Sequence, residues 1–600
     1  MQGVSKFYLD TYFFCSKKGG EILKKELIEI LKKYKIKLIV EGIAIILFVY
    51  FMTCPAKYLG KIIDLLYNIE ENKKLILQNI TIMICSTLGI AISKFIYKNI
   101  DFRTTMEIRK TLTDHLFKKF MKIRIEDIKL IKNGEIMSYF VRDTKKVARF
   151  LLRFYSVSIR IIGYVVMVII LITQLSSIKL ALCAIIPIFI TMITLIFIRK
   201  NIKNSFTIAQ KSFTDFSEFV QENTDSIRTV KAFSGEKNEF KAYKIKNEKL
   251  KNDNLKVSYN EGLLDVMVNV GIGLSYAIAI FLGSKNVISG EMTVGSIVSF
   301  IGYLSLLDMP MQYFPWMVSR MDEFKVSISR LDKIFKLPEE KILLEKDSKQ
   351  RVAGDIRIND LTFHYPDSLN EVLSNVSINV KKGETLGIIG VIGSGKTTLM
   401  NILLKLYKVE KGKVSIGGQD INDIPTEVLR DSICYITQDN FLFSSSLKEN
   451  INLFKDDYLD DEIINSAKNA MIYDEIQEMK EGIYTIIGEK GIDLSGGQKQ
   501  RVVLSRAFLN NSNIVIFDDT FSALDNKTEQ HVLKNIKNLV KDKTCIIISN
   551  RISDIKDCDK IAVMEQGKII ESGNHKSLLK LEQKYYKFYQ AQANKVEELA

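Results

Sequence analysis

The sequence of 600 residues predicts two parts of different fold class, an all-α membrane domain of six helices and an α/β domain that follows it. Long apolar runs fall between residues 36 and 316, each long enough for a membrane-spanning helix. From residue 354 onwards, short β-branched runs alternate with helical patterns, which is typical of an α/β domain. A glycine-rich stretch at 390–397 lies between one such run and a helical pattern, as in domains of the P-loop type.

The net charge of +15 lies largely beside the apolar runs, for example in the segments 32–37 and 199–200. Lysine and arginine in these places are typical of the cytoplasmic flanks of a membrane protein that faces anionic lipid. Nucleic acid is not an expected partner, because no recognised binding module and no long basic stripe accompanies the charge. The seven scattered cysteines lack metal-ligand spacing and indicate free thiols.

The chain begins with a segment, 1–34, in which residues 20–31 have apolar positions at helical spacing. This pattern predicts an amphipathic helix, either lying on the inner membrane surface or packed as an ordinary soluble helix. The membrane domain is predicted at 35–320, and each of its spans has at least about 20 mainly apolar residues. We place the spans at 36–66, 75–99, 150–174, 178–199, 259–284 and 294–317.

The connections between the predicted spans differ in length. Two of them, 100–149 and 200–258, are long, polar and helical in pattern, whereas those after the first and third spans are short. The long connections are rich in Lys and Arg, so we expect two cytoplasmic hairpins and both termini on the cytoplasmic side. The prediction is a multi-pass protein of the plasma membrane, and the richness in Ile, Lys and Asn favours a bacterial source.

The remaining boundaries follow from composition. The charged stretch at 321–352 is interpreted as a linker, 353–590 as the α/β domain with its site in the cytoplasm, and 591–600 as a C-terminal tail.

The stretch from Gly390 to Thr397 reads G-x-x-x-x-G-K-T and predicts a phosphate-binding loop for ATP with Mg²⁺. Its glycines let backbone N–H groups approach the phosphates, and the following helix adds its positive N-terminus. Lys396 is expected to reach the β- and γ-phosphates, and Thr397 to bind Mg²⁺. The candidate ATP-binding residues here are Gly390, Gly393, Ser394, Gly395, Lys396, Thr397 and Thr398.

Two acidic residues, Asp518 and Asp519, follow the apolar run 513–517, which reads as a buried parallel strand. Such a strand delivers carboxylates to the edge of the sheet where phosphates bind, so Asp518 is a candidate Mg²⁺ ligand through water. Asp519 stands where a general base would orient the attacking water. Upstream, a serine and two glycines at a helix start form a second candidate anion site, 494–498.

With these motifs in this order, residues of about 30 to 585 resemble an ATP-binding-cassette (ABC) exporter half-transporter, whose fold is the type IV exporter fold. The resemblance implies that ATP binds between two such domains, with the phosphate loop of one and the 494–498 pentad of the other. The candidate residues of that pentad are Ser495, Gly496, Gly497 and Gln498. It also implies ATPase activity coupled to outward transport of an amphipathic drug, peptide or lipid.

The resemblance assigns further residues. Tyr365 matches the aromatic residue that stacks on adenine, and Gln438 matches the glutamine that senses Mg²⁺. Asp525 ends the Ser-Ala-Leu-Asp stretch that crosses the interface between the two domains, and 488–491 resembles a loop that touches the membrane domain. In the hairpins, the segments near 123–136 and 206–217 are expected to dock on the ATPase domains.

Two positions depart from the family pattern. The family usually has glutamate where this chain has Asp519, and histidine where it has Asn550. Both changes weaken hydrolysis and leave the binding residues in place, so the chain resembles the impaired-site subunit of a heterodimeric exporter. Its intact pentad would then complete the site of a second, different chain. The alternatives are a homodimeric exporter with slow turnover, and a membrane ABC ATPase with a regulatory or immunity role.

Charged residues within the apolar runs have two interpretations: a polar cavity for a charged substrate, or structural pairs and cytosolic extensions of long helices. For Arg160 and Asp308 both remain open. The structural interpretation is favoured for Glu41, Lys94, Arg153, Glu261 and Asp265.

Overall fold

The computed structural model describes residues 21–129, 131, 133–175, 178–340, 351–366, 368, 370–488 and 494–597. The chain divides into two compact units, each with two segments of sequence. One comprises Met1–Met121 and Lys132–Leu337, and the other Lys122–Ile131 and Pro338–Ala600.

The described secondary-structure elements of the first unit are all helices. Its helices, with the short α4 of the second unit counted in chain order, are α1 (Glu21–Lys33), α2 (Lys35–Leu65), α3 (Ile69–Lys122), α4 (Ile125–Lys129), α5 (Asn133–Ser138), α6 (Thr144–Leu175), α7 (Ile178–Asp225), α8 (Ile227–Ala232), α9 (Glu236–Ile288), α10 (Val294–Ser305) and α11 (Asp308–Lys336).

All six predicted spans fall in helices. Helices long and apolar enough to cross a membrane occupy Lys35–Lys122, Gly134–Leu175, Glu236–Ile288 and Val294–Tyr313, with a shorter apolar helix at Lys179–Thr194. The first of these stretches, 88 residues long, contains two predicted spans with a 3₁₀ turn between them. Several helices continue far beyond their apolar run, because the polar connections of the sequence are helical too.

The N-terminal helix α1 buries its apolar stripe against protein. Leu23, Leu27 and Ile30 are buried, and Ile30 packs with Ile108 and Leu152 of the membrane domain. The predicted amphipathic helix is therefore present, and its apolar face contacts helices α3 and α6 within the first unit.

The second long hairpin consists of α7 and α9, which approach closely. A Cβ on Gly271 would lie 2.1 Å from Thr191 Oγ1, so only glycine permits this approach. The hairpin bends at 226–235, where α8 is located. Ser212 lies inside α7 and donates to Asp253 Oδ2 at 2.7 Å, so the segment near 206–217 is not the end of the hairpin.

The predicted linker at 321–352 is partly wrong. Helix α11 continues through residue 336, because its apolar positions, such as Phe324, Ile328 and Leu331, recur at helical spacing and are buried. Residues 341–350 lie outside the described part of the chain. At the other end, the predicted tail is helical as far as residue 597.

The second unit contains ten described strands: β1 (Ile356–Phe363), β2 (Leu373–Val380), β3 (Thr385–Gly390), β4 (Val414–Ile416), β5 (Gln419–Asp420), β6 (Ile433–Ile436), β7 (Ile514–Asp518), β8 (Thr544–Ile548), β9 (Lys560–Glu565) and β10 (Lys568–Gly573). Its further helices are α12 (Lys396–Leu403), α13 (Thr426–Ser432), α14 (Leu447–Asn452), α15 (Asp460–Asn469), α16 (Tyr473–Gln477), α17 (Gly496–Leu509), α18 (Asn526–Leu539), α19 (Ile552–Ile555), α20 (His575–Lys580) and α21 (Lys584–Glu597).

The strands form two sheets. The larger has the order β10-β9-β3-β8-β7-β6 with parallel pairing from β9 to β6, and the smaller has the order β2-β1-β4-β5 with antiparallel pairing. Strands β7 and β8 are buried along their whole length, as their continuous apolar sequences predict. Ile548 pairs with Ile388 and with Asp518, so β3, β7 and β8 end at the same edge of the sheet.

Candidate nucleotide-binding site

The glycine-rich loop connects the end of β3 at Gly390 to the start of α12 at Lys396. Gly393 and Gly395 have φ angles of +83° and +98°, a region that residues with a Cβ rarely adopt. A Cβ on Gly390 would lie 2.1 Å from Met564 O. Glycine is therefore required by backbone conformation and by close approach, and the loop leaves its N–H groups at the sheet edge.

Lys396 lies folded back onto this loop. Its Nζ donates to Gly390 O at 2.7 Å, Val391 O at 3.0 Å and Ser394 Oγ at 3.4 Å. Burial lowers the pKa of Lys396, while the charges of Asp518 and Asp519 act in the opposite direction. A buried cation held by neutral carbonyl groups is well placed to exchange them for an anionic ligand.

Asp518 ends β7 and is almost completely buried. Burial raises its pKa, and hydrogen bonds from Tyr435 and Thr397 oppose that shift. The Tyr435 hydroxyl donates to Asp518 Oδ2 at 2.8 Å. A carboxylate beside the Thr397 hydroxyl is an oxygen-donor set of the kind that Mg²⁺ prefers, so these residues fit the predicted ion.

Asp519 has a φ angle of +48°, in the left-handed region. For a residue with a side chain this conformation costs about 1–2 kcal/mol. The Asp519 N–H donates to Ile548 O at 2.9 Å, and Gln438 Nε2 donates to Asp519 Oδ2 at 3.4 Å. The left-handed conformation of Asp519 thus directs its carboxylate toward Gln438.

These residues surround one cavity of about 220 Å³. Its lining brings together the phosphate-loop residues, both acids, Gln438 and Asn550, which the sequence places far apart. The lining residues are Val372, Ile392, Gly393, Ser394, Gly395, Lys396, Thr397, Thr398, Gln438, Asp518, Asp519, Ile548, Ser549 and Asn550.

Gly390 and three further predicted elements lie outside that lining. Tyr365 donates to or accepts from Thr398 Oγ1 at 2.8 Å, and its ring packs edge-on against Phe363 and Tyr407. Asp525 caps α18, accepting from the backbone N–H groups of residues 527 and 528 at 3.1 and 3.0 Å. The third element is the pentad 494–498.

The pentad forms the start of α17. Ser495 Oγ accepts from Gln498 N at 3.3 Å, and Gln498 Oε1 accepts from Ser495 N at 2.8 Å. This reciprocal capping box fixes the first turn of a 14-residue helix. A Cβ on Gly497 would lie 3.1 Å from Ala523 O, so the helix start packs closely on the segment before Asp525.

Comparison with known proteins decides the family. The model described as "ABC transporter transmembrane region" matches residues 39–311, and the model described as "ABC transporter" matches 373–522. Multidrug resistance-like ATP-binding protein MdlA of Buchnera aphidicola is 31% identical over 557 residues, covering 91% of this chain and 94% of that protein. This chain belongs to the ABC transporter family.

Two further comparisons agree. Probable multidrug resistance ABC transporter ATP-binding/permease protein YheI of Bacillus subtilis is 35% identical over 405 residues, 68% of this chain and 69% of that protein. The solved "Structure of a bacterial Atm1-family ABC exporter with ATP bound" has a TM-score of 0.82 at 22% identity, covering 93% of this chain and 98% of that chain. The predicted fold and the multi-pass membrane location are confirmed, and the protein is an ABC exporter with membrane and ATPase parts on one chain.

The Asn550 segment of this ABC transporter is held by residues that the sequence did not single out. Gln592 of the C-terminal helix donates through Nε2 to Asn550 O at 2.8 Å and accepts through Oε1 from Ile552 N at 2.9 Å. Arg551 donates to Glu529 at 2.6 Å and to Ser522 O at 3.0 Å. Gln592 belongs to no recognisable sequence motif. Only its position on the C-terminal helix could have suggested that it contacts the site.

The short helix α4 from the first hairpin belongs to the same compact unit as the ATPase domain. Lys129 Nζ donates to the Tyr407 hydroxyl at 2.6 Å and lies 6.0 Å from the centre of the Tyr365 ring. Glu126 Oε1 accepts from Lys408 N at 3.0 Å. These contacts support docking of the predicted segment near 123–136. The loop at 489–491 lies outside the described residues.

Asp554, beside the Asn550 segment, provides a pH-dependent prediction. Burial and the charge of Glu529 raise its pKa to about 7, against a hydrogen bond from Ser549 at 2.5 Å. An unfolded aspartate loses its proton near pH 4, so between about pH 4 and pH 7 the folded form binds more protons, and stability falls as pH rises. The Asp554→Asn variant does not lose stability in this way, because asparagine does not titrate.

We therefore expect Asp554→Asn to raise the unfolding temperature of the ATPase domain above that of the wild type, and to do so more at about pH 8 than at about pH 5. The difference should be roughly 2–4 °C for each kcal/mol of stability that the wild type loses between these pH values. Thermal unfolding of the purified full chain at both pH values measures this difference. Asp542→Asn, at an exposed position, is the control and should show no pH-dependent difference. A temperature difference for Asp554→Asn that is equal at both pH values would contradict the assignment.

Proposed function

We propose that this chain is one subunit of an ATP-driven exporter that moves an amphipathic substrate out across the plasma membrane with a different second chain. Its own ATP site would bind ATP and hydrolyse it slowly, whereas its pentad would complete the working site of the partner. The observation that supports this most is the lining of one cavity by intact binding residues together with Asp519 and Asn550.

The phosphate- and Mg²⁺-binding residues that this chain contributes to its own site are intact. Lys396, Thr397 and Asp518 provide the cation, hydroxyl and carboxylate for a nucleoside triphosphate with Mg²⁺, and the loop provides its N–H groups. When bound, the ion neutralises charge that develops on the phosphate oxygens. These groups of the chain itself therefore support binding of the triphosphate and Mg²⁺, and the pentad of the second chain would complete the site.

The hydrolytic half is weakened at two positions. Asp519 is one methylene shorter than glutamate, which withdraws the carboxylate by about 1.5 Å, and a misplacement of about 1 Å can cost on the order of 10²-fold in rate. Asn550 can donate a hydrogen bond to a γ-phosphate but cannot become cationic as histidine can. Together these changes favour long retention of ATP over turnover.

The second chain is supported by surfaces without a described partner in this chain. The start of α17 lies outside the cavity lining, and a capped 14-residue helix presents N–H groups suited to a phosphate. In the first unit, Phe233 at the bend of the second hairpin is 83% exposed, and Ile227 is exposed as well. Apolar side chains at the end of a polar hairpin fit a docking contact with another ATPase domain.

The relatives support the substrate class. Two bacterial relatives carry the words "multidrug resistance" in their names, and one covers nearly the full length of both chains. We extend this to the present chain as export of amphipathic compounds, with drugs, lipids and peptides as the classes to be tested.

Inverted membrane vesicles test the proposal. They would contain this chain alone, or with an ABC chain that has glutamate and histidine at the two altered positions, and would receive ethidium, a fluorescent phospholipid or a fluorescent peptide. We expect ATP-dependent accumulation of at least one compound, and at least about tenfold more ATPase activity, only with both chains.

A complex with Lys396→Ala and the matching change in the partner is the control for ATP dependence. Brisk hydrolysis and transport by the chain alone would support the homodimer instead. Hydrolysis by the complex without movement of any of the three compounds would support a regulatory role.

A further inference from the structure

One side chain of the C-terminal helix α21 makes two hydrogen bonds to the backbone beside the ATP site. Gln592 Nε2 donates to Asn550 O at 2.8 Å, and Gln592 Oε1 accepts from Ile552 N at 2.9 Å. A glutamine amide has an NH₂ donor group and a carbonyl acceptor, and here both are used, one on each side of residue 551. The two bonds together fix the position and the direction of this short segment.

The first of these bonds holds a residue of the cavity lining. The side chain of Asn550 is exposed and lines the cavity of about 220 Å³. The preceding residue is fixed separately, because Ser549 N donates to Ile388 O at 3.2 Å and Ser549 Oγ accepts from Arg551 N at 2.9 Å. Asn550 therefore lies between one residue bonded to the sheet and another bonded to α21, and the direction of its side chain depends on both.

The second bond completes the start of a helix. Ile552 is buried and is the first residue of α19, so its N–H has no acceptor within that helix. Arg551, at the N-cap position, provides no side-chain hydrogen bond. Gln592 Oε1 is the acceptor instead, and the two atoms of the Gln592 amide thus serve different purposes: the oxygen caps α19 and the nitrogen holds Asn550.

The start of α21 is anchored in the domain, which keeps Gln592 in place. Glu571 accepts from Lys584 N at 2.6 Å and from Tyr585 N at 3.2 Å. Tyr585 is 0% exposed, and its hydroxyl forms a hydrogen bond with His575 Nδ1 at 2.7 Å. Gln592 follows Tyr585 by about two helical turns and therefore lies on the same face of the helix.

We propose that Gln592 is a positioning residue for recognition of the γ-phosphate. By fixing the backbone of residues 550–552, it directs the Asn550 side chain toward the γ-phosphate, so that this chain's site retains ATP in preference to ADP. The inference rests on the proposed function, in which Asn550 donates a hydrogen bond to that phosphate.

The chemistry of asparagine makes this positioning important. The Asn550 amide is neutral, and a hydrogen bond weakens steeply when its angle is poor. A cation, in contrast, attracts a phosphate from a range of directions. An asparagine at this position therefore depends more on a fixed backbone than a protonated histidine would.

Displacement of fluorescent mant-ADP from the purified full-length chain in lipid nanodiscs with Mg²⁺, by AMP-PNP or by ADP, tests the proposal. AMP-PNP carries a γ-phosphate and resists hydrolysis, so the ratio of the two affinities measures recognition of that phosphate without turnover. We expect Gln592→Ala to lower the preference for AMP-PNP over ADP about tenfold, as Asn550→Ala should, because a hydrogen bond to a charged group is lost. Gln592→Glu should have the same effect, since it keeps the acceptor for Ile552 N and loses the donor to Asn550 O.

Gln590→Ala is the matched control. Gln590 is exposed on the same helix and donates to the Tyr586 hydroxyl at 2.7 Å, so its loss should leave both affinities as in the wild type. Addition of Gln592→Ala to Asn550→Ala should cause no further loss of preference, because Gln592 acts through Asn550.

Three results would overturn the proposal. They are an equal loss of affinity for both nucleotides in the Gln592 variants, which would assign a merely structural role, an unchanged ratio in the variants of either residue, and additive effects in the double variant. The experiment needs neither transport nor a second chain. Failure here therefore leaves the vesicle experiment untouched, and failure of transport leaves this result standing.

Discussion

Ser495→Arg is expected to abolish nearly all ATPase activity of the assembled two-chain complex, whereas Asp519→Asn should reduce it by no more than about twofold. Ser495 caps the 14-residue helix whose N-terminus we assign to the partner's ATP site. Arginine there removes the capping oxygen and places bulk and a competing charge at the γ-phosphate position. Loss of one precisely positioned donor set in such a site typically costs on the order of 10²–10³ in rate.

Asp519 lies in the site that we propose to hydrolyse ATP slowly. Because this site contributes little to the ATPase activity of the complex, removal of the Asp519 charge should change that activity little. The two variants are compared by phosphate release from complexes of equal purity and equal ATP binding. Gln583→Arg, at an exposed position outside the ATP-site motifs, controls for the effect of a new arginine on the domain surface. If Asp519→Asn is as severe as Ser495→Arg, the two sites are equal in chemistry and the proposal of unequal sites is wrong.

Lys396→Ala should weaken ATP binding at this chain's own site by about 100-fold, since charged hydrogen bonds contribute about 1.5–3 kcal/mol each and the ammonium serves two phosphates. Because the Lys396 side chain is only 9% exposed and bonds to the loop carbonyls, its removal also leaves those carbonyls unpartnered. Photolabelling of this chain with azido-ATP measures the loss.

Lys382→Ala removes the same positive charge from an exposed position in the turn before β3. This control variant should be labelled by azido-ATP to the same extent as the wild type. Labelling of Lys396→Ala at the wild-type level would show that the phosphate-loop assignment is wrong.

The local parts of the site were predictable because neighbouring residues determine them. Gly390 to Thr397 specify strand, loop and helix by themselves, and the observed φ angles of Gly393 and Gly395 follow from that requirement. The acids at the end of β7 were predictable for the same reason, since a buried parallel strand has one possible edge for them.

The contacts between distant parts of the chain were not predictable. Tyr365 was expected to stack on adenine. Its hydroxyl forms a hydrogen bond with Thr398, and this contact depends on how the segment that follows β1 packs beside α12. Gln592 reaches Asn550 from 42 positions away, without any motif at either residue. The resemblance to exporters placed 227–233 in the second hairpin, but the position of the bend within that hairpin, at 226–235, was not predicted.

Helix α4 has a consequence for biosynthesis. The second compact unit takes residues 122–131 from the first third of the chain and the remainder from 338 onwards. Ribosomes therefore produce the two pieces of this unit with more than 200 residues of the first unit between them, and the second unit can be completed only after that segment has been synthesised. A fragment that begins at 338 would leave Tyr407 and Lys408 without Lys129 and Glu126, and would expose an aromatic surface to chaperones and to aggregation.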